Sequence, residues 1–193
     1  SIDVAVTATS QREINTADLE SVDNFIKNNP ETDILVLNTG GPPKRDFFKI
    51  TREEWVQYYH QLFLGLVTIL QKIKIREQGY IFAITSYYIK EPSPSLILSN
   101  AYRVAFTSVL KTLSKHYAPC QISCINIAPG PIKTDRLKSL VADMQKLEES
   151  LPMKRAGEPW EIGNFVKAIV ENNIKYLNGV TINFDGGASN YLF

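Results

Sequence analysis

Hydrophobic and polar positions along this chain fall into two alternating registers. Short apolar runs recur: Asp3-Val4-Ala5-Val6-Thr7, Ile34-Leu35-Val36-Leu37, Tyr80-Ile81-Phe82-Ala83-Ile84-Thr85, Ile122 to Ile127 and Gly179 to Phe184. Each is short, uninterrupted and rich in β-branched or aromatic residues, as strands buried on both faces are. Between them lie stretches with apolar residues at helical spacing. Asn15 to about Asn28 carries Leu19, Val22, Phe25 and Ile26 on one face and is stopped by Pro30. Thr51 and Glu54 form a capping-box pattern, and Ile50 with Trp55 suits a hydrophobic staple. The stripe Leu62, Leu66, Leu70 and Ile73 continues that helix. Further helices are predicted from about Leu96 to Tyr117, over the polar stretch Arg136 to Glu149, and from Pro159, well suited to a first helical position, to about Glu171.

Strands alternating with helices imply an α/β protein whose parallel sheet is covered on both faces. In such sheets ligands bind outside the carboxyl ends of the strands. Thr7, Asn38, Ser86 and Pro129 all fall at predicted strand ends. Any one of them alone reads as a strand-ending turn, whereas four in series at consistent spacing outline the rim of a site.

Composition narrows the class. The 193 residues suit one domain, taken as residues 1–193. Hydrophobic residues make up 44% and charged residues 21%, and 21 Lys and Arg against 20 Asp and Glu leave a net charge of +1. That balance favours neither nucleic acid nor an anionic membrane surface as a partner. No apolar run approaches the ~20 residues of a membrane-spanning helix. No signal-peptide pattern is visible at the start, so a cytoplasmic location is expected. Two cysteines, Cys120 and Cys124, and two histidines, His60 and His116, supply neither a disulfide framework nor a metal site.

Ser86 is followed thirteen residues later by Ser99, in Ser99-Asn100-Ala101-Tyr102-Arg103. Ser99 and Arg103 are four apart in a helical stretch and share one helix face. This layout resembles the active-site frame of the short-chain dehydrogenase/reductase family, in which a strand-ending Ser is followed by a Tyr and, four residues on, a Lys. Further segments are similar to the family in order. Leu37-Asn38-Thr39-Gly40 looks like its Asn-Asn-Ala-Gly motif, with Asn38 and Gly40 matching. Pro129-Gly130-Pro131-Ile132-Lys133-Thr134 looks like its Pro-Gly-x-x-x-Thr segment, and Arg155 to Glu161 and Phe184-Asp185-Gly186-Gly187 look like its C-terminal motifs. The resemblance implies a three-layer, Rossmann-like, doubly wound parallel sheet and NAD or NADP as cofactor. Thr7, Asn38, Gly40, Pro129, Gly130, Ile132 and Thr134 would lie along that cofactor, with Arg103 on its ribose. It also implies a small carbonyl or alcohol substrate, and a homotetramer with the helices carrying Leu62 to Ile73 and Ala105 to Leu113 packed across one axis. The C-terminal Asn190-Tyr191-Leu192-Phe193 is a candidate contact at another.

The departures bear on chemistry. Ser99 replaces the family Tyr, Arg103 replaces the Lys, and Leu62 stands where a helix Asn is expected. A phenol, with a reference pKa near ~10, is brought toward working pH by a neighbouring ammonium; a Ser hydroxyl ionises far less readily. Arg103 keeps its charge and donors and does not relay protons. Ser86 remains to bind the substrate oxygen, and Ser99 or Tyr88 is left for proton transfer. Tyr102, roughly 100° around the helix from Arg103, faces elsewhere. The variant resembles a branch of reductases acting on 3-oxoacyl carriers. The alternative is a catalytically impaired member that binds a dinucleotide or metabolite and works through assembly.

The family opens with a strand and a Thr-Gly-x-x-x-Gly-x-Gly loop that admits the pyrophosphate to a helix N-terminus. Val4 to Ser10 resembles that strand and the start of the loop, but Gln11-Arg12-Glu13-Ile14-Asn15 already resembles the run-in to a later helix, and no glycine precedes Gly40. A true deletion would strip strands from the sheet and uncover apolar surface. The expectation is therefore that a cofactor-binding segment belongs between Ser10 and Gln11, and that part of the N-terminal half is missing from this sequence.

Overall fold

The computed structural model describes residues 5–192. Four parallel strands form one sheet in sequential order: β1 (Glu31–Leu37), β2 (Lys74–Ile84), β3 (Ser123–Pro129) and β4 (Val180–Phe184). Helix α1 (Leu19–Asn28) precedes β1. Helices α2 (Arg52–Tyr59) and α3 (Gly65–Lys72) lie between β1 and β2, α4 (Ile97–Tyr117) joins β2 to β3, and α5 (Asp135–Leu140), α6 (Met144–Ser150) and α7 (Pro159–Glu171) join β3 to β4.

Local chemistry sets the helix boundaries. Asp18 caps α1 through the amides of Glu20 and Ser21, 3.0 and 3.4 Å from its carboxylate. Thr51 and Glu54 close the reciprocal capping box at the start of α2, at 3.2 and 3.1 Å. The helix read as continuous from Thr51 is interrupted by a π-helical turn over His60–Leu64, which absorbs extra backbone between α2 and α3. Leu62, Leu66, Ile69, Leu70 and Ile73 nevertheless all reach the core. The polar stretch read as one helix is two, α5 and α6, because Asp143 caps a fresh start through the Lys146 amide.

Two apolar clusters lie on opposite faces of the sheet, as strand alternation requires. Ile81, Ala83 and Cys124 meet Val22, Ile26, Leu66, Phe106 and Leu110 from α1, α3 and α4. Tyr80, Phe82, Ile125 and Ile127 meet Ile169 and its neighbours on α7. The strands are added in one direction while α4 and α7 lie on opposite faces. The crossover through α7 therefore has the opposite hand to the one through α4, a departure from the usual right-handed rule.

Two strand expectations are corrected. The run Asp3–Thr7 is no strand where it is described: Ala5 to Thr7 is unpaired and exposed, with Val6 at 78% accessibility, while Asp3 and Val4 lie outside the described residues. A turn is responsible. The amides of Glu13 and Ile14 donate to Ser10 O at 3.1 Å, and the Glu13 carboxylate takes the Ser10 amide and hydroxyl, so the chain bends toward α1 instead of running along β1. Thr7 therefore sits at no strand end. Ile34 to Leu37 is likewise not buried on both faces. It belongs to an edge strand paired only with β2 among the described residues, and Val36 keeps half its surface exposed.

Candidate functional site

The carboxyl ends of β1, β2 and β3 converge beside the N-terminal half of α4, and Arg103 draws two of them together. Its Nε donates to Ser99 Oγ at 3.2 Å, as the four-residue spacing predicts. Nη1 donates to the carbonyl of Ile84, the last residue of β2, at 3.1 Å, and Nη2 to the carbonyl of Thr39, two residues beyond β1, at 3.0 Å. Three of its five N–H bonds thus hold the frame of the site. Arg103 is only 8% exposed. Burial and the nearby charge of Arg136 push its pKa down to about 10, which leaves it cationic at neutral pH.

Ser86 lies two residues beyond β2 and caps a short turn over Tyr87–Ile89. Its Oγ accepts the amide of Tyr88 at 3.2 Å. A lone pair of the hydroxyl is therefore fixed while its proton is left to donate. Tyr87 and Tyr88 pack ring on ring with centroids 4.1 Å apart, and burial foremost drives the Tyr87 phenol well above the ordinary tyrosine range. Tyr102 faces away from this group: its hydroxyl donates to Trp55 O at 2.9 Å and its ring packs edge-on against Trp55.

The loop after β1 presents Asn38 and Gly40, both exposed. Gly40 has no positive φ, and a Cβ there would meet only Gln61 Nε2, at 3.8 Å. Its carbonyl accepts from that same Gln61 amide at 2.9 Å. Gly40 is thus not demanded by backbone conformation. Gly130 is demanded by packing, because a Cβ would stand 2.9 Å from Asp185 Cα. Pro129 ends β3 opposite Phe184. Beyond it, Ile132 forms a parallel bridge to Gly157 in which the Lys133 amide and Pro131 carbonyl make the bonds, so the main-chain groups of Ile132 itself turn the other way. Thr134 caps α5 through the Leu137 amide at 3.2 Å.

Asn38 and Gly40 in the loop after β1, and Ile132 and Thr134 beyond β3, are the groups that would meet a nicotinamide riboside. The phosphate end of a dinucleotide needs close-packed main-chain amides, and Thr7, with its exposed and unpaired surroundings, supplies no such cradle. Among the described residues, candidates thus stand for one half of that cofactor only. Among them no three His, Cys, Asp or Glu side chains group as metal ligands, and no helix is long and apolar enough to cross a membrane.

Three participants left little trace in the sequence reading. Thr39 acts through its carbonyl, which no side-chain pattern reveals. Gln61 stands beside Leu62, the residue in the expected Asn position, and takes up Gly40. Arg136, two residues beyond Thr134, donates from Nη2 to Pro42 O and ties α5 to the loop after β1; its place so near the Thr134 motif was the available signal.

The family description "Enoyl-(Acyl carrier protein) reductase" matches residues 6–189. This chain belongs to the short-chain dehydrogenase/reductase family and is similar to its 3-oxoacyl-carrier reductases. It is 29% identical over 160 residues to nodulation protein G of Azospirillum brasilense, covering 80% of this chain and 65% of that one. It is 28% identical to the 3-oxoacyl-[acyl-carrier-protein] reductase FabG of Staphylococcus epidermidis, covering 80% and 66%. The chain thus spans just under two thirds of these curated relatives. Among solved structures, L-sorbose reductase from Gluconobacter frateurii, complexed with NADPH and L-sorbose, superposes with a TM-score of 0.83 at 24% identity, covering 93% of this chain and 76% of that one.

Proposed function

We propose that this chain forms the substrate side of an NAD(P)-dependent reductase site that acts on a carbonyl, or on an alcohol in reverse, in the manner of 3-oxoacyl reductases. The observation that carries the reading is the Arg103 clamp, which fixes the ends of β1 and β2 against α4 and sets Ser86 at their rim. The relatives named as reductases support it. When bound, a nicotinamide dinucleotide supplies the hydride; Asn38, Gly40, Ile132 and Thr134 would hold its nicotinamide end.

The remaining chemistry belongs to the protein. Ser86 Oγ, held by the Tyr88 amide, donates to the substrate oxygen and orients it. Ser99 Oγ accepts from a buried cation, which favours its ionised form and makes its proton easier to give up. Ser99 is therefore the first candidate proton donor and Tyr88 the second. Arg103 remains charged and positions Ser99. A homotetramer in the cytoplasm completes the proposal. The apolar residues assigned to its helix contacts, Leu62 to Ile73 with Phe106 and Leu110, are spent in the core, so an axis there would use exposed residues such as Val56 and Val104.

The test is a panel of 3-oxoacyl thioesters, ketones and aldehydes with NADH and NADPH, followed by loss of the reduced dinucleotide. Turnover with at least one substrate, reduced about a hundredfold or more in Ser86→Ala, is expected. No turnover across the panel by folded protein would sink the reading. A second reading, a binding protein on a relic site, is favoured by Leu62, 1% exposed in the expected Asn position. If Ser99→Tyr with Arg103→Lys creates turnover that the natural chain lacks, that second reading holds.

A further inference from the structure

Arg103 and Arg136 come from different elements, yet they face each other across a single glycine. The Cβ position of Gly41 lies 3.7 Å from Nη2 of Arg103 and 3.4 Å from Nη2 of Arg136, with Arg136 Nε at 3.8 Å. Arg103 is buried and Arg136 is half-buried. Neither forms an ion pair with a carboxylate among the described residues; their acceptors are Ser99 Oγ and the carbonyls of Ile84, Thr39 and Pro42. Arg103 is stripped of water and the charge of Arg136 bears on it, an arrangement that costs most when no counter-charge is near. The Tyr58 phenol is a polar neighbour of Arg136.

We propose that Arg103 and Arg136 receive an oxyanion, a carboxylate or phosphoryl group, carried by the substrate. The inference rests on the reductase reading for the word substrate and on geometry for the site. Two planar forks from different directions suit an anion with two or more oxygens, which each fork can meet with paired N–H bonds. Arg103 retains two uncommitted N–H bonds, and Arg136 keeps its Nε and Nη1 donors free of the Pro42 contact. The position is beside the loop after β1, and Arg103 also bonds Ile84, two residues before Ser86, so a substrate bound there would carry its anionic group and its carbonyl on one short skeleton. Gly41 is what leaves the space: any side chain there would enter between the two forks.

The experiment is calorimetric titration of the full chain with malonate, with inorganic phosphate and, as control, with chloride at matched ionic strength. Saturable binding of malonate or phosphate is expected, with at least tenfold weaker affinity in Arg136→Gln and in Gly41→Val. Arg136→Gln leaves Arg103 and its bonds in place, and circular dichroism would establish that both variants fold. Equal binding by natural chain and variants, or no binding by folded natural chain, would overturn the proposal. Repeating the titration with NADPH present separates the sources. Undiminished anion binding assigns the site to substrate, and competition between the two overturns that assignment. Should NADPH not bind at all, the failure falls on the reductase reading, and the anion titration alone decides this one.

Discussion

Arg103 makes one side chain the frame of the site. A buried guanidinium with donors pointing to Ser99, Ile84 and Thr39 joins side chain to main chain across three elements. Arg103→Ala would leave two partly buried carbonyls without their donor and open a cavity. A loss of about 3 kcal/mol in urea unfolding is expected. A change below about 0.5 kcal/mol would show that the clamp contributes little. The Ser99–Arg103 contact was legible because a four-residue spacing is a local property of any helix. The partners Ile84 and Thr39 were not, since main-chain acceptors are the same in every residue. Tyr102 was read correctly as facing elsewhere, for the same local reason.

At the scale of elements, caps and turns carried most of the sequence signal. The Thr51–Glu54 box and Pro159 at the start of α7 both lie where their chemistry placed them. The π turn at His60–Leu64 was not visible, because the leucine spacing through it also fits an unbroken helix. The start of α7 also has a measurable electrostatic signature. Arg155 grips Glu161 with two bonds of 2.7 and 2.8 Å, and Glu161 accepts the Glu158 amide at 2.8 Å. The Arg155 bond first, then the Glu158 amide, depress the Glu161 pKa to about 2. A depressed carboxylate stabilises the fold fully above its unfolded value and loses that contribution as pH falls toward about 2. Acid titration of stability should therefore differ between natural chain and Glu161→Gln above the ordinary carboxylate range. The two curves should converge as pH approaches about 2. Parallel curves throughout would remove Glu161 from the account.

For the whole molecule, alternation of strand and helix was enough to read the parallel sheet, and the motifs in order were enough to read the family. Strand count was not legible. Asp3–Thr7 has a strand's composition, yet pairing needs a neighbour in register, and the turn at Ser10 takes the chain away from β1. The consequence is an edge at β1 with Val36 half exposed and Val6 exposed beside no partner. That surface is what a shortened sheet was expected to uncover, and it bears on the central question of whether the rim around Arg103 and Thr134 still receives a dinucleotide. The most direct measurement is a fluorescence titration of reduced dinucleotide with the folded chain and with Thr134→Ala. The account predicts saturable binding that weakens in the variant. Absence of binding at millimolar concentration, in protein whose circular dichroism shows the α/β fold intact, would contradict it.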